Sequence, residues 1–171
     1  AWPGDVVGLY DSGNFKIGDT LTEGEALHFK GMPSFSPEIF RFVDNAEPMK
    51  YKQFEKGLDQ LMDEGVAQLF IKEDNGRKII GVVGALQFDV IQYRLEHEYG
   101  AKVRYEPINL HKACWVTAES EAALEEFVQR RHKDLARDKH GRLVYLAETP
   151  WMLKMAQENH PDIRFHFTSE L

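Results

Sequence analysis

The stretch GVVGALQFDVIQYRLEHEYG, residues 81–100, holds two glycines three residues apart just ahead of a helical pattern. Such a pair can cradle a phosphate, clamp a nucleic-acid backbone, or let a strand turn tightly into a helix. A phosphate loop needs GxxxxGK followed by Ser or Thr, so that backbone N–H groups surround the phosphates while a lysine reaches them. Gly84 is instead followed by Ala85, Leu86 and Gln87, and no nucleotide site is indicated. An RNA-binding KH domain carries its GXXG in a polar loop between helices, whereas Val82 and Val83 continue an apolar run. The pair therefore reads as a close join between a buried strand and the helix that packs on it.

The remaining reactive side chains are sparse. A single cysteine, Cys114, excludes an internal disulfide framework and fits a reducing compartment. Its flanks, HKACWVTA, alternate like a strand, the setting of a small buried hydrophobe. His111 precedes it by three residues, but one Cys and one His make an incomplete metal site. None of the seven histidines forms an array such as HExxH. His97 and His132 fall among charged neighbours on helices, His160 sits at a helix end before a proline, and His166 alternates with Phe165 and Phe167. A Cys-His nucleophile would have to recruit a distant histidine, and no activating context surrounds Cys114. The chain is expected to carry no catalytic, cofactor or metal site of its own.

The formal charge of -7 argues against polyanion binding by the whole surface. One segment departs from it: RRHKDLARDKHGR, residues 130–142, sets six basic residues against two Asp. Arg130, Arg131, Lys133, Arg137, Lys139 and Arg142 are thus candidate contacts to RNA phosphates. A solvated helix end with charges suited to its C-terminus gives the same pattern.

At 171 residues, 43% hydrophobic and 29% charged, the chain fits one globular domain, or one and a fraction. It has no apolar run near the roughly 18 residues of a membrane span, and is expected to be soluble and intracellular. Residues 1–43 read as strands and loops of an incomplete barrel: DVVGLY is followed by a turn at DSGNF, then KIGDTL, with Pro33 and Pro37 closing the segment. From Pro48 the period changes, and Tyr51, Phe54, Leu58, Leu61 and Met62 form the stripe of a helix. VAQLFIK and KIIGVVG flank Asn75-Gly76, a tight hairpin signal. In the helix after Gly84, Phe88, Ile91, Leu95 and Tyr99 make one apolar row, with Leu86, Val90 and Tyr93 a second. KVRYEPI then alternates. With FRFVD near residue 42, the order is strand, helix, strand, strand, helix, strand: the ferredoxin-like arrangement. HKACWVTA, EAALEEFVQRR capped by Ser120, RLVYLAE, WMLKMAQENH opened by Thr149-Pro150, and IRFHFT add a βαβαβ unit. The class is α+β, divided at residues 1–37 and 38–171, with Gly31–Pro37 as a joint.

PGDVVGLYDSGNFKIGDTLTEGEALHFKGMPSFSPEIFRFV resembles the end of the β-barrel domain of translational GTPases, the bacterial class II peptide chain release factor family above all. PMKYKQFEKGLDQLMDEGVAQLF and GVVGALQFDVIQYRLEHEYG are similar to the C-terminal domain of that family, and the second run more loosely to the third domain of elongation factor G. The resemblance implies a C-terminal piece of a cytoplasmic GTPase that acts in translation termination, stimulating and recycling the codon-reading release factors on the ribosome. It places GTP or GDP with magnesium in an N-terminal domain absent from this sequence, and it implies ribosomal RNA and protein as partners, with no membrane. The alternative is a self-contained ferredoxin-like RNA-binding module, which would turn aromatics outward from its central strands.

Overall fold

The computed structural model describes residues 1–10, 19–27 and 36–169. Contacts divide the chain into two units, Ala1–Met32 and Pro33–Leu171. In the first, the described residues form no strand, and Val6, Leu9 and Tyr10 stand exposed. DVVGLY therefore lacks the β pairing expected of it; without a neighbour an apolar run gains no ladder hydrogen bonds, whatever its propensity. The DSGNF turn, the start of KIGDTL and residues 31–35 of the expected joint lie outside the described residues. Ser36, at the end of that joint, belongs to the second unit, donating through its N–H to Phe167 O at 3.0 Å and accepting at its hydroxyl from Ala113 N–H at 3.0 Å.

The second unit begins with β1 (Ile39–Asn45), α1 (Tyr51–Asp63), β2 (Gln68–Lys72), β3 (Lys78–Val82), α2 (Leu86–Tyr99) and β4 (Val103–Ile108). These strands lie antiparallel in the order β4-β1-β3-β2, the ferredoxin-like arrangement expected from the element order. It continues with β5 (Lys112–Ala118), α3 (Glu121–Arg131), β6 (Leu135–Asp138), β7 (Leu143–Ala147), α4 (Pro150–Asn159) and β8 (Ile163–His166). The α+β class holds, and the extension carries one strand more than its pattern suggests: β6, in the middle of the basic run. Its order, β6-β7-β5-β8, repeats that of the first half, with β5 to β8 in the places of β1 to β4. The equivalent strands β2 and β6 pair antiparallel through Phe70↔Asp138, Ile71↔Arg137 and Lys72↔Ala136. An approximate two-fold axis thus joins two ferredoxin-like halves into one eight-stranded sheet.

Local signals account for most boundaries. Ser120 Oγ accepts from Ala123 N–H at 3.2 Å and Thr149 Oγ1 from Met152 N–H at 3.1 Å, capping α3 and α4. Gly100, at φ 65°, ends α2 in the left-handed conformation. The β2–β3 hairpin is present, but its turn is longer than the two-residue form: only Gly76 has positive φ, and Asn75 uses its Oδ1 to accept from Arg77 N–H at 2.9 Å.

The helices cover one face of the sheet. Under α1 and α2 lie Val43, Leu69, Ile80 and Val82, and under α3 and α4 lie Cys114, Leu135, Tyr145 and Ile163. On the other face Phe40, Phe70 and Ile79 of the first half meet Trp115, Val144 and Leu146 of the second. Phe70 and Trp115 have ring centroids 6.4 Å apart although β6 and β7 lie between their strands. In a flat sheet those strands would stand about 14 Å apart, so the sheet curls until its two halves close on each other. It is not a closed barrel, since β4 and β8 remain as margins.

The two apolar rows of α2 have different fates. Phe88, Ile91 and Leu95 are fully buried, while Leu86, Val90 and Tyr93 are exposed to 72%, 42% and 61%. A helix lying on a sheet buries one stripe, and the flank of α2 on the protein side is taken by α1. Gly57 sets that contact: a Cβ there would lie 2.7 Å from Leu95 Cδ2 and 2.7 Å from Tyr99 Cγ. Gly57→Ala should gain about 1 kcal/mol in helix propensity but lose more to overpacking, about 1–3 kcal/mol. A net loss of up to about 2 kcal/mol is expected in urea unfolding, whereas a gain would show that α1 can move away from α2 freely.

Candidate functional site

Gly81 and Gly84 are a join, as their surroundings show. A Cβ on Gly81 would lie 2.5 Å from Pro37 Cγ and 3.1 Å from Phe70 Cε2, so only glycine fits between them. The N–H groups of Val83 and Gly84 both donate to Gln87 Oε1, at 3.0 and 2.9 Å, while Gln87 Nε2 donates to Val66 O at 2.7 Å. The amides that a phosphate would need are occupied by the chain's own side chain. Sequence reasoning passed over Gln87; its place three residues after Gly84 has the spacing of a capping box whose hydroxyl is missing.

Cys114 is buried, and that burial pushes its thiol up to about 12, with Lys112 opposing only in part. At neutral pH it stays a thiol, unlike an activated nucleophile. His160 packs edge-on against Phe127 at 4.9 Å, and burial together with Arg131 and Arg130 lowers its pKa. His166 Nε2 and Thr117 Oγ1 share a hydrogen bond of 2.8 Å. Among the described residues no group of three or more His, Cys, Asp or Glu is placed to hold a metal ion.

The six basic candidates do not form one patch. Arg130 and Arg131 end α3 and Lys133 follows in a single 3-10 turn, all before β6; Lys139 and Arg142 lie beyond its far end, about 13 Å away by strand rise. Five are ion-paired: Arg130 with Glu126 at 2.7 Å, Arg131 with Asp134 at 3.9 Å, Arg137 with Glu73 at 2.5 Å, Lys139 with Asp63, and Arg142 with Asp138 at 2.8 Å. The local excess read from the sequence is therefore largely cancelled by Glu126, Glu73 and Asp63, which are distant from or outside the run. Arg137 and Lys139 tie the second half to the first across the β2–β6 seam. Among the described residues, Lys133 is exposed and has no ion-pair partner.

Asp138 is the polar centre of the seam and was missed by sequence reasoning, since an Asp in a basic run looks like a solvated counter-charge. It is 8% exposed. Its Oδ2 accepts from Trp115 Nε1 at 3.0 Å and Arg142 Nε at 2.8 Å, and its Oδ1 from the N–H groups of His140 and Arg142, both at 2.9 Å. Burial by itself raises its pKa, but the Trp115 and Arg142 donors outweigh it and hold the carboxyl below the usual range. Beside it a cleft of about 220 Å³ opens between the α1–β2 turn and the β6–β7 turn, with Met62, Val66, Leu69 and Phe70 in its wall and Lys139, His140 and Arg142 at its edge.

The sheet face that a ferredoxin-like RNA-binding module would use is closed. Phe40, Phe70 and Trp115 are 3% exposed or less, each half covering the other, and Phe42 is capped by the Arg77 guanidinium 3.8 Å from its ring centroid. No stacking platform remains on these strands.

The class defined by these features is an α+β domain of two ferredoxin-like halves around a shared aromatic core, with no phosphate cradle at its paired glycines. Residues 29–157 match the family model described as Class II release factor RF3, C-terminal domain. The chain belongs to that family, and its role lies in translation termination. Among the described residues no helix is long and apolar enough to cross a membrane.

Proposed function

We propose that this chain is the ribosome-contacting C-terminal region of a cytoplasmic GTPase that stimulates and recycles the codon-reading release factors. The GTP or GDP with magnesium belongs to a separate domain of the whole protein, and this region contributes no catalytic residue. What carries the reading is the match to the release-factor family over residues 29–157; the shared core of the two halves supports it physically. A nucleotide can shift ribosome affinity only through domains whose contacts differ between states, and a domain fused through Phe70 and Trp115 moves as one body. Of the basic candidates, Lys133 and Arg130 are the most available to ribosomal RNA, because Lys133 has no ion-pair partner among the described residues and the Glu126 partner of Arg130 is on the open surface of α3, while Arg137, Lys139 and Arg142 are held by the seam.

Pelleting with ribosomes over a salt series tests this. Each phosphate contact contributes about 0.7–0.9 to the slope of log affinity against log salt. Arg130→Ala with Lys133→Ala is expected to reduce that slope by about 1–2 and to leave the thermal midpoint unchanged. Arg137→Ala should do the reverse, lowering stability and sparing the slope. Absence of the chain from the ribosome pellet at every salt concentration would remove direct contact from the proposal.

A further inference from the structure

Val83, Leu86, Val90 and Tyr93 form an unbroken apolar stripe along the entry and outer side of α2, with Val83 exposed to 67%. The stripe is held outward: the His97 ring stacks on Tyr93 at 4.0 Å, and its Nδ1 lies 2.8 Å from Tyr93 O. At the Val83 end it runs into the cleft beside Asp138. The polar side chains there are already engaged, Gln87 with Val66, Val83 and Gly84, Asp138 with Trp115, His140 and Arg142, and Lys139 with Asp63. The apolar surface left for an incoming group is that of Val66 and Ala67, since Met62, Leu69 and Phe70, which also line the cleft, are buried.

One border of the stripe is anionic. Asp89 and Glu96, two helical turns apart, are exposed and have no ion-pair partner among the described residues. Arg94, the guanidinium of α2, is shared between Glu64 and Glu98 and cannot neutralise them. Exposed apolar surface at helical spacing beside unpaired carboxylates selects its partner by charge as well as by shape. Nucleic acid would be repelled. A second copy docked antiparallel about a two-fold through this face would set the Asp89 and Glu96 border against its own equivalent.

We propose that this face binds a basic amphipathic helix of a partner protein. Apolar residues of that helix at positions i, i+3 or i+4, and i+7 lie over Leu86, Val90 and Tyr93. One apolar side chain enters the cleft, and Lys or Arg residues meet Asp89 and Glu96. The inference is independent of the ribosome contact proposed for Arg130 and Lys133, since it uses another element and the opposite charge.

A synthetic helical peptide of leucine and lysine in that pattern, with a leucine and glutamate twin, serves as the probe against the 15N-labelled full chain. Amide shifts are expected to concentrate in residues 83–97, with the lysine peptide bound at least about tenfold more tightly than its twin. Leu86→Ser combined with Tyr93→Ser should weaken binding about tenfold or more, and Asp89→Asn combined with Glu96→Gln about three- to tenfold. Both should leave the salt dependence of ribosome pelleting unchanged. The proposal is overturned by equal affinity for the two peptides, by shifts scattered over the surface, by an RNA hairpin shifting the same amides, or by sedimentation as a dimer that the Leu86→Ser, Tyr93→Ser variant abolishes.

Discussion

Trp115→Ala is expected to lower the unfolding free energy by about 4–5 kcal/mol, the upper part of the range for emptying a buried aromatic site. The ring is 1% exposed, packs against Phe70 across the fold, and gives its indole N–H to Asp138. Its loss opens a cavity between two halves that touch there, and leaves a buried carboxylate one donor short. Trp115→Phe should recover much of the packing and none of the hydrogen bond, leaving a cost of about 1–2 kcal/mol. Urea unfolding followed by far-UV circular dichroism separates the two. A loss below about 2 kcal/mol for the alanine variant would mean that the halves do not depend on this ring to stay together.

The second large effect is expected at Asp138. Asp138→Asn keeps the shape but replaces one accepting oxygen with an NH2 group, which then faces donors instead of acceptors. With four donors converging on the carboxylate, the cost is about 2–4 kcal/mol at neutral pH, below the full range for a broken buried pair because Arg142 keeps access to solvent. The carboxyl is held below its ordinary pKa in the folded protein, so it binds fewer protons there than in the unfolded chain. Its stabilisation is complete above the unfolded value of about 4 and is lost as pH falls through the folded value. The gap between wild type and Asp138→Asn should therefore narrow on acidification from about pH 5 downward, and a gap that widened would reverse the assignment. Because Trp115 and Asp138 share a hydrogen bond, the double variant should cost less than the two single losses together.

Much of this domain was legible because its signals are local. The stripe of α1, the Ser120 and Thr149 caps, the Gly100 stop and the alternation of β4, β5 and β8 each stand within a few residues of sequence, and each names its element. β6 does not: Leu135 and Ala136 are its two apolar residues, its neighbours are charged, and it is a strand because β2 and β7 flank it. The same long-range pairing hid the repeat of the first half. Leu86, Val90 and Tyr93 show the converse, a correct helical period in which nothing local reveals which rows meet the sheet. At the basic run, residue types were legible and partners were not, since Glu73 and Asp63 approach from the other half of the fold. The reading of Gly81 as a close join needed only its apolar context; that Pro37 is the neighbour it makes room for follows only from the folded chain.

The antiparallel union of β2 with β6 also bears on how the chain assembles. Each half can reach its own four-strand order through pairings confined to that half, so the meeting of the halves should come last. Until it occurs, each carries a naked strand margin and an uncovered aromatic sheet, the combination by which nascent chains stick to one another. Its most vulnerable interval is therefore the one in which the leading half is complete and the trailing half has yet to arrive.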